Sequence, residues 1–210
     1  GITPLWDRHP RFLSGTKAWQ DDIRDKIKIV ADICDVEFID FYSVLHRYPF
    51  MFPDAIHPDE KGASILAKTV YSAITGNYGG LKMADVYSDN MVVQRDVPLK
   101  LSGTSNANDR IIVEIDNRKY ETITDNRGCW TIIAGPLSVK RNVTISVSNG
   151  YESLVFKNVA VGEVWLCSGQ SNMEFILKNS VDAKKELEIS RNSDIRLYDM
   201  KARWRTDAVE

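Results

Sequence analysis

Apolar residues near the start of the chain recur at steps of four and three: Trp19, Ile23, Ile27 and Val30. That period puts them on one stripe of a helix. The pattern predicts a helix that Ser14 or Thr16 caps, that runs to about Ile33, and that buries this stripe. The run VEFID at residues 36–40 predicts a strand. A second helical period starts near Pro58 or Asp59 and runs to about Ile74, with Ala63, Leu66, Ala67, Val70 and Ile74 as its inner face. Asp59 and Glu60 suit its first turn, where unpaired backbone N–H groups favour negative charge.

TGNYGG at residues 75–80 reads as a linker, and beyond it the period changes to two. The runs RIIVEID, RKYETIT, CWTIIAG, NVTISVS and SLVFKNVAVGEVWLC are separated by turn residues in SNAND, DNRG and SNG. This spacing predicts an antiparallel sandwich of about seven or eight strands. Residues 161–167 are more continuously apolar, as in a strand buried on both faces of a sheet. After Gln170 the pattern predicts a helix over about 181–191 and a strand over 195–198. The expected fold class is therefore α/β in two pieces, plus an all-β antiparallel sandwich domain. The expected boundaries are 1–76, 77–160 and 161–210.

Charge narrows the partners. The chain carries 27 Lys and Arg against 29 Asp and Glu, and no basic block marks a nucleic-acid face. No apolar run is long enough for a membrane span. The three cysteines, Cys34, Cys129 and Cys167, form no CxxC pair. Metal ligation by thiolates is therefore not expected, at most one disulfide is possible, and buried free thiols are the default. The N-terminal GITPLWDRHP lacks the charged and apolar regions of a signal peptide and an initiator Met, and reads as a mature product or an excised piece.

Two places carry chemistry. In FPDAIHPDEKG, Asp54 and His57 lie three apart just ahead of a helix. On a tight turn the Asp can bond one ring nitrogen and leave the other as a general base. The same spacing also suits a loop that merely caps the helix. In CSGQSNMEF, Ser171 follows an apolar strand and a Gly-bearing turn. A serine at the C-terminal edge of a sheet is where open α/β folds place their sites, and it needs a base to become a nucleophile. Gly169 allows close backbone approach, and the Ser171 N–H would help hold an oxyanion. The alternative is a Ser or Asn helix cap. His9 and His46 read as surface or packing residues, and Trp130 and Trp165 as core.

GQSNME at residues 169–174, after NVAVGEVWLCS, resembles the nucleophile block of SGNH/GDSL-type hydrolases, specifically the sialate O-acetylesterase group. ADVYSDNMVVQRDVPLKLSG at residues 84–103 resembles the opening β-domain of those enzymes. The resemblance implies Ser171 as nucleophile and its N–H as an oxyanion donor, with Gln170 and Asn172 shaping the turn. FPDAIHPDEKGASILAKTVYSAI resembles the last block of an SGNH hydrolase, where Asp54 and His57 would complete a triad. It also implies flavodoxin-like three-layer α/β pieces, hydrolysis of acetyl esters on a glycan or sialic acid through an acyl-enzyme, no metal or other cofactor, and a periplasmic or secreted setting.

The order departs from that family. There the serine block comes first and the Asp-His block last; here His57 precedes Ser171, and the middle blocks have no match. Three arrangements produce this order. In the first the chain holds the tail of one hydrolase module, a β-domain and the head of a second; in the second it is circularly permuted; in the third two chains complement each other. Each leaves apolar α/β faces to cover, which predicts a homo-oligomer or a companion chain. The rival reading is a non-catalytic β-module that binds carbohydrate or packs, carrying incomplete catalytic blocks.

Overall fold

The computed structural model describes residues 2–6, 15–169 and 171–198. The chain divides into two compact units, with Gly1–Tyr78 in the first and Gly79–Asp199 in the second. Helices dominate the first, and mixed and antiparallel sheets the second, in keeping with an α/β fold that has a β-rich part.

In the first unit, α1 (Thr16–Ile33) starts after Gly15, whose φ of 89° makes it the cap in place of a side chain. The predicted buried stripe is not the one that packs. Trp19 is 63% exposed and Val30 is exposed too, while Ile23 and Ile27 are half-buried. The reason is polar. Lys17 donates to the Tyr42 hydroxyl, and Arg24 donates to Asp40 at 2.8 Å. These contacts turn the Lys17–Arg24 face toward α2 (Phe41–Leu45) and leave Trp19 outside. Burial works to raise the Asp40 carboxyl, but bonds from Arg24 and Ser43 outweigh it and hold the carboxyl down to about 2.

Residues 36–40 form no strand. Among the described residues the first unit has no strand for them to pair with, and an unpaired strand leaves its N–H and C=O groups without partners. Asp40 instead caps α2, accepting the Ser43 N–H at 3.0 Å. α3 (Glu60–Thr75) is bounded by local chemistry: Asp59 accepts the Gly62 N–H at 2.8 Å, and Gly76 closes the helix at φ 69°. Of its expected inner face, Leu66 and Val70 are half-buried, but Ala63, Ala67 and Ile74 are exposed.

In the second unit the described residues form eight strands: β1 (Lys82–Met83), β2 (Val92–Gln94), β3 (Leu99–Thr104), β4 (Arg110–Ile115), β5 (Arg118–Ile123), β6 (Cys129–Ala134), β7 (Lys140–Ser148) and β8 (Ser153–Gly162). They make a three-stranded sheet in the order β1-β3-β6 and a five-stranded sheet in the order β2-β8-β7-β4-β5. The pairing is not wholly antiparallel, because β2 lies parallel to β8. Alternate residues of β4, β6 and β7 point into one core that both sheets share, with Leu101, Ile111, Ile115 and Ile145 fully buried. Each such side chain contributes about 1.5–3 kcal/mol of burial. Asp116 and Asn117, both at positive φ, make the tight turn between β4 and β5. Trp130 is buried opposite Gly103, where a Cβ would lie 2.8 Å from its ring.

Past Gly162 the fold differs from the pattern. Residues 163–169 form no strand, Trp165 is 83% and Leu166 90% exposed, so this apolar run is not a strand buried on both faces. Among the described residues no strand continues beside it. α4 (Ser171–Glu174), a 3₁₀ turn at Leu177–Asn179 and α5 (Ala183–Ile189) follow. Residues 195–198 are not a strand either; Arg196 holds them by its side chain. All three cysteines are free and exposed rather than buried.

Candidate active site

The turn that carries Asp54 and His57 is anchored from below. Phe52 is fully buried against Trp6, with ring centroids 4.7 Å apart. Ala55 is also buried, with φ 64°; its N–H donates to the Phe52 carbonyl at 2.9 Å, and its carbonyl accepts the Trp6 N–H at 3.2 Å. The backbone is thereby held in a left-handed bend that points Asp54 and His57 outward.

Above it, Asp54 Oδ1 accepts the backbone N–H of Ile56 at 3.0 Å and of His57 at 2.7 Å, and Oδ2 lies 2.6 Å from His57 Nδ1. The His57 ring first, then these two amides, hold the Asp54 carboxyl well below the usual carboxylate range. An ionised carboxylate only accepts, so Nδ1 carries the proton. The neutral ring then presents Nε2 as an acceptor, and the side chain is 78% exposed. This pair can take a proton from an approaching hydroxyl and return it.

Ser171 opens α4, with Asn172 next to it, and both are exposed. Among the described residues the Ser171 hydroxyl makes no hydrogen bond. Gly169 sits against Met173, where a Cβ would lie 2.7 Å from Cγ. Gln170 falls outside the described residues, as do His9 and Ser14. The three histidines of the chain are His9, His46 and His57, so the unit that bears Ser171 contains none. Among the described residues no cluster of three or more His, Cys, Asp or Glu is placed to hold a metal ion, and no helix is long and apolar enough to cross a membrane.

The local pattern missed the framework around the serine segment. Gln94 Oε1 accepts the Val164 N–H at 2.8 Å, and Gln94 Nε2 donates to Glu163 at 3.1 Å. Arg95 Nε donates to the same carboxylate at 2.6 Å. Arg95 first, then Gln94, hold the Glu163 carboxyl below its ordinary value. At the far end Arg196 donates to the carbonyls of Asn90 and Met91, each at 3.1 Å, and of Asn158. The only sequence signal for this was the QR of VVQRD and the Glu of VGEVW, residues far apart along the chain. Separately, an open cavity of about 300 Å³ in the second unit is lined by Lys82, Asp85, Tyr87 and Phe156, among others.

An exposed serine and a carboxylate-oriented histidine are parts that a serine hydrolase uses. The chain is similar to sialate O-acetylesterases. The Mus musculus enzyme is 32% identical over 76 residues, which is 33% of this chain and 14% of that protein. The Rattus norvegicus enzyme is 27% identical over 121 residues, which is 51% of this chain and 22% of that protein. Among solved structures, a carbohydrate acetylesterase from Xanthomonas citri is similar at 28% identity and a TM-score of 0.49, covering 51% of this chain and 25% of its own. The chain thus spans less than a quarter of each of these curated relatives. No protein-family model matches it.

Proposed function

We propose that this chain is a segment of a carbohydrate O-acetylesterase of the SGNH type, acting on an O-acetylated glycan or sialic acid. Ser171 Oγ attacks the acetyl carbonyl carbon, and a histidine Nε2 takes the hydroxyl proton. The tetrahedral oxyanion collapses to an acyl-enzyme, and the imidazolium protonates the departing sugar oxygen. Water, deprotonated by the same histidine, then releases acetate. Gly169, Gln170 and Asn172 shape the turn, and the Ser171 N–H is one oxyanion donor.

The observation that carries this reading is the bond from His57 Nδ1 to Asp54, which leaves Nε2 outward as a base. The similarity to sialate O-acetylesterases supplies the substrate class. Base precedes serine, and the serine's unit holds no histidine. Both facts favour the tail of one module, a β-sandwich, and the head of a second, so that Ser171 and His57 serve two sites of one kind. The exposed apolar run at Trp165 and Leu166 is in keeping with cover from a second copy or a companion chain.

The test is hydrolysis of 4-nitrophenyl acetate and of O-acetylated sialic acid by the protein that carries this segment. Ser171→Ala is expected to remove the share of the rate that its own site supplies, about half where the two sites work equally, and Ser171→Ala combined with His57→Ala at least about a hundredfold. An unchanged rate overturns the reading. In its place would stand a non-catalytic sugar-binding module, which the cavity beside Tyr87 and Phe156 favours. Titration of that cavity with an acetylated sugar, followed by tyrosine fluorescence, reads it directly.

A further inference from the structure

The segment that carries Ser171, residues 163–196, has little to define its own course. Its described residues form no strand and only short helical pieces, and nearly all of them are exposed. Isolated helices this short are marginal, and sparse burial leaves a chain free to open locally. Its course therefore depends on the points where it is tied down.

Both ends are tied to one stretch, residues 90–95. At the start, β2 pairs with β8 as far as Gln94 opposite Gly162, and the Arg95 N–H reaches the Gly162 carbonyl at 2.9 Å. The backbone of β2 then turns away at Asp96, which has φ 57°. The Gln94 carboxamide takes over the pairing, because it offers both groups that a peptide offers. Its oxygen accepts the Val164 N–H, and its nitrogen donates to Glu163, which Arg95 holds from the other side. At the far end the register of β8 against β7 shifts near Asn158, which sits at φ 52°. A bulge frees a carbonyl from the ladder. Arg196 satisfies that carbonyl together with those of Asn90 and Met91.

We infer that residues 90–95 form a clasp whose side chains and carbonyls, closed on Glu163, Val164 and Arg196, set where Ser171 stands above the β-unit. Gln94, Arg95, Glu163 and Arg196 are positioning residues that act through the segment they hold. This rests on the reading of Ser171 as nucleophile, but the clasp itself is legible without activity.

The test uses the protein that carries this segment, with two readouts. Gln94→Met keeps the shape and removes both hydrogen-bonding groups. It is expected to speed amide exchange at Val164 about fivefold, the loss of one ordinary hydrogen bond. In a His57→Ala background, which silences the other site, it is also expected to lower kcat for 4-nitrophenyl acetate about tenfold with KM little changed, as misplacement of a reacting group does. Arg196→Met acts from the other end in the same direction on kcat. The double variant Gln94→Glu with Glu163→Gln keeps an acceptor for Val164 and a donor–acceptor pair between the two side chains, and is expected to restore both readouts. Unchanged exchange at Val164 in Gln94→Met overturns the clasp. So does a loss of kcat that merely follows the thermal midpoint and is not restored. A protein with no esterase activity overturns the catalytic reading of Ser171 instead, and the exchange rates then decide the clasp by themselves.

Discussion

Asp54 holds both the backbone and the ring of His57: one carboxylate oxygen accepts the His57 N–H at 2.7 Å, and the other lies 2.6 Å from Nδ1. The turn and the tautomer are therefore fixed by one side chain. A DxxH spacing achieves this because the bend at Ala55, φ 64°, brings the fourth residue back over the first.

Asp54→Asn is expected to keep the turn and reverse the ring. The carboxamide oxygen still accepts the Ile56 and His57 amides, but its nitrogen donates where the carboxylate accepted. The neutral imidazole then carries its proton on Nε2 and loses its outward base. Nitrogen-15 NMR of the His57 ring checks this: protonated Nδ1 in the wild type, protonated Nε2 in the variant. A site that uses this pair loses orders of magnitude in rate.

Acid is expected to loosen the first unit through Asp40. Its folded carboxyl lies at about 2 against an ordinary 3.8, so the native state releases this proton more readily than the unfolded chain does. The stability it contributes is complete above about pH 4 and is lost as pH falls toward 2. Asp40→Ala removes the cap on α2 as well as the Arg24 pair, and is expected to cost about 1 kcal/mol at neutral pH. The difference from wild type should shrink below pH 3, as read by urea unfolding followed at 222 nm.

Gly103→Ala is expected to destabilise the β-unit by about 1–3 kcal/mol, the cost of overpacking. A Cβ there would lie 2.3 Å from the Lys82 carbonyl and 2.8 Å from the Trp130 ring. Neither neighbour gives way easily, since one is the backbone of β1 and the other a buried indole. Tryptophan fluorescence during denaturation reads the change, and Gly135→Ala, with open space at its Cβ, is the control.

What the sequence displays is whatever is decided within one turn of chain. The ends of α3 follow from Asp59 and Gly76, and the Asp54–His57 turn from residues three apart. Alternation along β4 and β6 exposes their inner faces. What the sequence hides is decided by distant neighbours. Trp19, Ile23, Ile27 and Val30 have a faultless helical period, but Arg24 finds Asp40 and turns the helix. Residues 36–40 have strand composition and, among the described residues of their unit, no strand to join. Gln94 meets Glu163 across 69 positions, which no window on the chain can span.

The cysteines give the last prediction. Free cysteine is among the most buried residue types, which predicts burial for Cys34, Cys129 and Cys167. Each instead lies where a local element ends or opens. Cys34 caps the end of α1, Cys129 begins β6 after a tight turn, and Cys167 stands in the apolar run before Ser171. All three are free and exposed. A thiol reagent should therefore label Cys34, Cys129 and Cys167 in the native protein without denaturant. Cys129 should react slowest at mildly alkaline pH, because burial first and the Asp125 carboxylate second push its thiol up and reduce the thiolate that reacts. Cys167 adds a further use: if a second copy or a companion chain covers Trp165 and Leu166, its labelling should fall as that cover forms, while Cys129 on the β-unit keeps its rate.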